Sequence, residues 1–192
     1  MQRCDWQSLK DSLYRNYHDN EWGYPTMDSN RLFEMLNLEG QQAGLSWSTI
    51  LKRRITYNQA FDNFDPIKII RYDEKKILKL LKDEGIIRYR LKIESIIKNS
   101  HAYINMLEKG EDFSNFIWGF VDGRPIHNEW KSINEVPTET KISTKMSKEL
   151  KDRGFTFVGS TTCYAYMQAV GLVNDHLLKC FCYEKIKNIT IS

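Results

Sequence analysis

Apolar positions along this chain recur at helical spacing, and almost nowhere at the two-residue alternation of a half-buried strand. Wound at about 100° per residue, the stretch "NRLFEMLNLEGQQAGLSWSTI", Asn30 to Ile50, predicts two helices broken between Gly40 and Gly44. Leu32, Met35 and Leu36 form the apolar stripe of the first, and Arg31, Glu34 and Asn37 fall on its polar face. Glu39 breaks the pattern, because it lands inside the stripe. A carboxylate pointing into a core costs several kcal/mol, roughly, unless something pairs with it. Elsewhere, "DSLYRNYHDNEW" predicts a short first helix, and the helix-start pair Asp65-Pro66 opens a helix carrying Ile67, Ile70, Ile77, Leu80 and Leu81 that ends at Gly85. "RYRLKIESIIKNSHAYINMLEKG" predicts a long helix stopped by Gly110, and Phe113, Phe116, Ile117 and Phe120 follow at i, i+3, i+4 and i+7. "VDGRP" then turns the chain into a polar stretch from Ile126 to Thr140, read as a long loop between lobes. With no strand candidate, repeat or low-complexity tract, the expected fold class is all-α.

The carboxyl-terminal third adds a pattern of its own. "STKMSKELKDRGFTFVGSTTCYAYMQAVG" predicts a helix ending at Gly154, a tight "FTFVG" hairpin, and a second helix ending near Gly171. A helix-hairpin-helix at about 143–171 can present backbone N–H groups at a helix amino terminus to a DNA phosphate without reading sequence. Lys145, Lys148, Lys151 and Arg153 lie close enough to add charge. Many helical proteins carry a glycine turn between two helices, so spacing alone leaves a purely structural hairpin open.

Length and composition set bounds on this. A chain of 192 residues, 41% hydrophobic and 12% aromatic, is long enough for one packed domain, or two small lobes sharing a core. A net charge of +3 permits a polyanionic partner without requiring one. The start "MQRCDWQSLK" has no signal-like apolar segment, and no apolar run reaches the roughly 18 residues of a membrane span. The expected setting is therefore cytoplasmic, where Cys4, Cys163, Cys180 and Cys182 do not form a disulfide framework.

Two groups of residues are chemically suggestive. Cys4 and His18 lie near one end, and "HLLKC" sets His176 and Cys180 at i and i+4 near the other, on one face if that segment is helical. Two thiolates and two imidazoles can close a tetrahedral zinc site and fasten the termini together; four isolated core or surface residues are the alternative. Cys182 falls off the shared face, and Cys163 reads as a packing residue. The second group is aromatic: Trp6, Tyr14, Tyr17 and Trp47 stand near the candidate ligands or the odd acid, whereas Trp22, Trp118 and Trp130 read as core. Flat rings with one carboxylate suit a flat, electron-poor ring bearing N–H donors, such as a purine.

The strings "RCDW", "YHDNEWG", "LEGQQAGLSW", "FDP", "GII", "GFTFVGSTTCYAYMQAVGLVNDH" and "HLLKC" run from Arg3 to Cys180. Together they resemble the 3-methyladenine DNA glycosylase I family, of the helix-hairpin-helix glycosylase superfamily. The resemblance implies one glycosylase domain over 1–192, with two helical lobes, the hairpin in one and both termini in the other. It implies a structural zinc ion on Cys4, His18, His176 and Cys180. It also implies monomeric action on double-stranded DNA, with hydrolytic release of 3-methyladenine. Glu39 would be the catalytic group and bind the flipped base, with Trp47 stacked on it, Tyr17 adding a polar contact, and Trp6 and Tyr14 completing the pocket. Gln42, Gly44 and Leu45 would enter the gap left in the duplex, and Gly159 and Thr161 would meet the backbone. One departure stands out. Where other superfamily members carry an aspartate in a "V-D-T-H"-like string, "LVNDH" has Asn174, with Asp175 one position on. Two other readings use the same residues: a zinc-stabilised DNA-binding module without catalysis, and a free-purine binding protein that needs no hairpin.

Overall fold

The computed structural model describes residues 1–189. Its helices are α1 (Ser12–Asn20), α2 (Ser29–Gln41), α3 (Trp47–Leu51), α4 (Arg54–Ala60), α5 (Pro66–Ile69), α6 (Glu74–Leu80), α7 (Arg90–Glu108), α8 (Phe113–Trp118), α9 (Lys141–Asp152), α10 (Ser160–Ala169) and α11 (Phe181–Lys187). Side-chain oxygens start many of them. Asp11 accepts from the N–H groups of Leu13 and Tyr14, Asp28 from Asn30 and Arg31, and Asp112 from Asn115. Thr140 and Ser143 form a reciprocal capping box at α9. No described helix is long and apolar enough to cross a membrane.

Three expectations need correction. The helix predicted from Asp65 to Gly85 is two, because Asp73 adopts an extended backbone and caps α6 by accepting from the Lys76 N–H. On the short first piece, α5, Ile69 is fully buried while Ile67 is 54% exposed. The Ile126–Thr140 segment is not all loop: Ile126–His127 (β1) pairs in parallel with Val173–Asn174 (β2) and so joins the segment to the chain after α10. The third correction is Asn37, which is buried rather than solvent-facing.

The reason for that burial lies in the position of α2. It packs against α3, α7, α8 and α10, so nearly every residue from Leu32 to Gln41 is enclosed. Each fully buried Leu, Phe or Met there contributes about 1.5–3 kcal/mol. Asn37 survives in this setting because its Oδ1 accepts from Asn99 Nδ2 at 2.9 Å and its Nδ2 donates to the Phe33 carbonyl at 2.9 Å. Asn99 Oδ1 in turn accepts from the Thr156 N–H at 2.8 Å, which ties α2 and α7 to the turn between α9 and α10.

That turn is the predicted hairpin. Gly154 (φ +94°) and Phe157 (φ +57°) both take left-handed backbone, and the Ser147 hydroxyl donates to the Val158 carbonyl at 2.6 Å across it. Phe157 lies directly on α2: a Cβ at Gly40 would sit 3.1 Å from the Phe157 Cβ and 3.2 Å from its carbonyl oxygen. The glycine one position after Glu39 thus lets hairpin and central helix touch. A second small core gathers Cys4, Leu177, Cys180, Cys182 and Ile186 and joins the two chain ends.

Candidate active site and an adjoining metal-ligand cluster

Residues from α1, α2, α3 and α10 enclose a cavity of about 360 Å³, within the roughly 300–1,000 Å³ of small-molecule sites. Trp6, Tyr14, Tyr17, Glu39, Gln42 and Trp47, all predicted from sequence, line it together. The rings form its walls. Tyr17 and Trp47 lie 5.4 Å apart between centroids, tilted at 43°, while Trp6 meets Tyr14 at 6.0 Å and Trp22 at 4.5 Å edge to face.

Glu39 projects from α2 into this cavity and is 5% exposed. Burial alone pushes its carboxyl up to about 8. Tyr14 is pushed up to about 12 by burial and then by Glu39, and Tyr17 well above the usual phenol range for the same two reasons. Both phenols therefore stay neutral at physiological pH, as donors or acceptors. The Trp47 Nε1–H is buried and has no hydrogen-bond partner among the described residues.

A second cavity of about 200 Å³ shares Glu39 and Gln42 with the first and adds Gly44, Leu45, Thr161 and Thr162. The break after α2 and the first turn of α10 thus meet at the mouth of the aromatic pocket. Gly44 has φ +74°, which a side chain rarely adopts, and Leu45 is 41% exposed. Gly159 is the N-cap of α10 and supplies no side-chain cap, so first-turn N–H groups remain for an anion. The Ser160 hydroxyl beside them donates to Glu139. Among the nearby cations, Lys145 and Lys148 are largely exposed, while Arg153 is held by Glu111 at 3.0 Å.

Behind the pocket, Cys4, His18, His176 and Cys180 are all buried, and their ligand atoms lie within 4.8 Å of one another. His176 Nδ1 is 3.5 Å from both Cys4 Sγ and Cys180 Sγ, and His18 Nε2 is 3.7 Å from Cys180 Sγ. Ligand atoms around a tetrahedral zinc ion stand about 3.3–3.8 Å apart, given bonds of roughly 2.0–2.3 Å. The outer ring nitrogens are also fixed. His176 Nε2 donates to the Trp22 carbonyl at 3.0 Å, and His18 Nδ1 to Asp19 at 2.8 Å, so the inner nitrogens turn their lone pairs toward the cluster. The neighbouring Cys182 and Cys4 thiols hold Cys180 far below the ordinary thiol range. The four residues could hold a metal ion.

The route by which they meet differs from the sequence expectation. Residues 176–180 form a turn before α11, not a helix, and the turn brings Cys180 back toward His176. Cys182 lies outside the four, with its Sγ 3.9 Å from the His18 and Asp19 carbonyls. Cys163 is a packing residue as read, its thiol raised to about 12 by burial.

A family model described as methyladenine glycosylase matches residues 6–183. The chain belongs to the methyladenine glycosylase family. It is 52% identical over 183 residues to the DNA-3-methyladenine glycosylase 1 of Escherichia coli (strain K12), covering 95% of this chain and 97% of that protein. A crystal structure of a 3-methyladenine DNA glycosylase I superposes with a TM-score of 0.93 at 54% identity, over 95% of this chain and 100% of the other. A 3-methyladenine DNA glycosylase I from Staphylococcus aureus, solved to show how it recognises 3-methyladenine, gives a TM-score of 0.89 at 37% identity over 91% and 93% of the two chains. The family match spans the pocket, the hairpin, His18, His176 and Cys180, and begins two residues after Cys4.

Sequence reasoning missed part of the cavity wall. Trp22, read as core, lines the pocket and also orients His176 through its carbonyl. Ile133, Val136 and Pro137 close the cavity from the segment read as an inter-lobe loop, and Gln168 and Asp175 complete it. Gln168 is four residues after Tyr164 on α10, a helical spacing that could have marked it. Asn174 is fully buried and donates to the Tyr183 carbonyl at 3.1 Å, a structural role away from the cavity.

Proposed function

We propose that this chain is a DNA repair glycosylase that hydrolyses the N-glycosidic bond of 3-methyladenine in alkylated double-stranded DNA. It releases the free base and leaves an abasic site. The observation that carries this reading is Glu39: a buried carboxyl with no neutralising partner among the described residues, in an aromatic cavity that opens between the α2–α3 break and the start of α10. A DNA-binding module needs no such cavity, and a free-purine binder needs no adjoining hairpin. The names of the relatives point the same way.

The chemistry follows from the lesion. A purine methylated at N3 is cationic in the nucleotide and neutral once it leaves, so the bond is weak before the enzyme acts. The duplex offers the lesion by extruding it, and each base–ring stack is typically worth about 1–3 kcal/mol. Trp47 stacks on the base, Tyr17 adds a polar contact, and Trp6 and Tyr14 close the pocket. The cationic nucleotide draws Glu39 back to its charged form, and the carboxylate accepts from the base's N–H donors. Leu45, with Gln42 and Gly44, occupies the space vacated in the duplex. The α10 amino terminus at Gly159 and Thr161 holds a backbone phosphate.

Zinc is the metal that suits two thiolates and two imidazoles, and four protein ligands leave no open position for water. Its chemistry here is structural. The protein acts as a cytoplasmic monomer, a single domain over 1–192 whose two helical lobes are fastened by that site.

Strand cleavage is not part of the activity. In superfamily members that cut DNA, a lysine stands two positions after the hairpin's "V-G" and attacks the sugar as an amine. Here Thr161 holds that place, and a hydroxyl cannot form the imine. On methylated duplex, strand breaks are expected only after alkali, with no covalent adduct on borohydride treatment. An adduct would show that some amine of this chain serves as nucleophile.

A further inference from the structure

Asp175 is 2% exposed, borders the aromatic cavity, and accepts four hydrogen bonds from uncharged donors. Asn128 Nδ2 at 2.6 Å and Trp130 Nε1 at 2.8 Å reach its Oδ1. The Tyr164 hydroxyl at 2.6 Å and Gln168 Nε2 at 2.8 Å reach its Oδ2. A carboxylate has about four lone-pair sites, so these donors fill it. It cannot take a proton from water, or accept from a ligand, without surrendering one of them. Asp175 therefore acts on the cavity through its donors and not by its own contact.

Among those donors, Gln168 is the one that also lines the cavity. A primary amide is ambiguous in orientation, since its oxygen and nitrogen have nearly the same shape. Asp175 removes the ambiguity, because a carboxylate can only accept and so the Gln168 nitrogen must face it. The Gln168 Oε1 and the second N–H are left for an occupant. An amide oxygen beside an amide N–H matches the exocyclic amino group and adjacent ring nitrogen of a 6-aminopurine, the pairing by which Gln and Asn read adenine.

We propose that Gln168 is a further base-contacting residue of the pocket, opposite in character to Glu39, and that Asp175 is a positioning residue that locks the Gln168 amide in one orientation. This rests on reading the cavity as the base site. The amide then favours a 6-amino over a 6-oxo purine, because a 6-oxo group would set oxygen against oxygen.

The test is a double-mutant cycle on the affinity for free 3-methyladenine, read by titration calorimetry with Gln168→Leu, Asp175→Asn and the double variant. Gln168→Leu is expected to weaken binding about tenfold, the effect of one or two lost buried hydrogen bonds. Asp175→Asn should cost a similar factor, since an amide at 175 lets Gln168 turn over. The double variant should bind no worse than Gln168→Leu, because Asp175 has nothing left to orient. Wild-type affinity in either single variant, or effects that multiply in the double variant, would overturn the proposal. If Asp175→Asn does not fold, judged by circular dichroism, Gln168→Leu decides alone. Wild-type protein that fails to bind the base would instead sink the base-site reading itself.

Discussion

Glu39→Gln is expected to slow excision of 3-methyladenine by about a hundredfold, the usual scale for one preorganised electrostatic group, while making the fold more stable at alkaline pH. The loss of rate arises because the amide keeps the shape of the side chain but not the charge that attracts a cationic nucleotide. Binding of the excised base should weaken for the same reason, and affinity for undamaged duplex should change little. The gain in stability comes from linkage. Burial raises the Glu39 carboxyl to about 8 from an ordinary 4.5, so between those pH values the native state holds a proton that the unfolded chain has lost. Native stability from this group therefore falls as pH rises from about 4.5 to about 8, and levels off above. A glutamine has no such slope. Above pH 8 the variant should exceed the wild type by a few kcal/mol, on the order of the shift multiplied by 1.36 kcal/mol per unit, with the difference vanishing near pH 4.5. Thermal melts at pH 5 and pH 9, paired with single-turnover excision, measure both halves. Excision at the wild-type rate would reduce Glu39 to a tolerated buried acid.

The second large effect concerns the metal-ligand cluster. Purified protein should contain about one zinc ion per chain, and chelation or Cys180→Ala should lower the melting temperature by about 10 °C or more. The cluster joins residues 172 apart in sequence, Cys4 and His176, and its loss lets the two ends separate. Affinity for 3-methyladenine should fall as well, at temperatures where the protein is still folded. The ligands are interleaved with the pocket wall: Tyr17 precedes His18, Asp175 precedes His176, and the Trp22 carbonyl holds the His176 ring. Metal analysis with melts and base titration before and after chelation checks this. Full-length protein that is metal-free, equally stable and equally able to bind base would remove the idea.

Much of the site could be read from sequence because it violates local rules. Glu39 was visible as an acid in an apolar stripe, and its structural surroundings give the reason, since every neighbour on α2 is packed. Asn37 was misplaced by the same periodicity, because Asn99 of α7 covers the polar face of α2 at Asn37 while Arg31 and Glu34, nearer the helix start, stay part-exposed. The helix predicted from Asp65 to Gly85 was misjudged because apolar spacing continued through Asp73, whose side chain competes with the helix by capping the next one. His176 and Cys180 converge through a turn, so their i, i+4 spacing was right about the meeting and wrong about the element. Asp175 could not be weighed from sequence, since half of its hydrogen bonds come from Asn128 and Trp130, more than forty residues away.

The central claim, that this chain excises 3-methyladenine from DNA, is tested most directly by chromatography of the bases released when purified protein is incubated with methylated duplex. The expected result is free 3-methyladenine in amounts equal to the abasic sites formed, with release abolished or greatly slowed in Glu39→Gln. Tight binding of the methylated duplex with no base released would contradict it, and would leave the chain as a DNA-binding module built on the same fold.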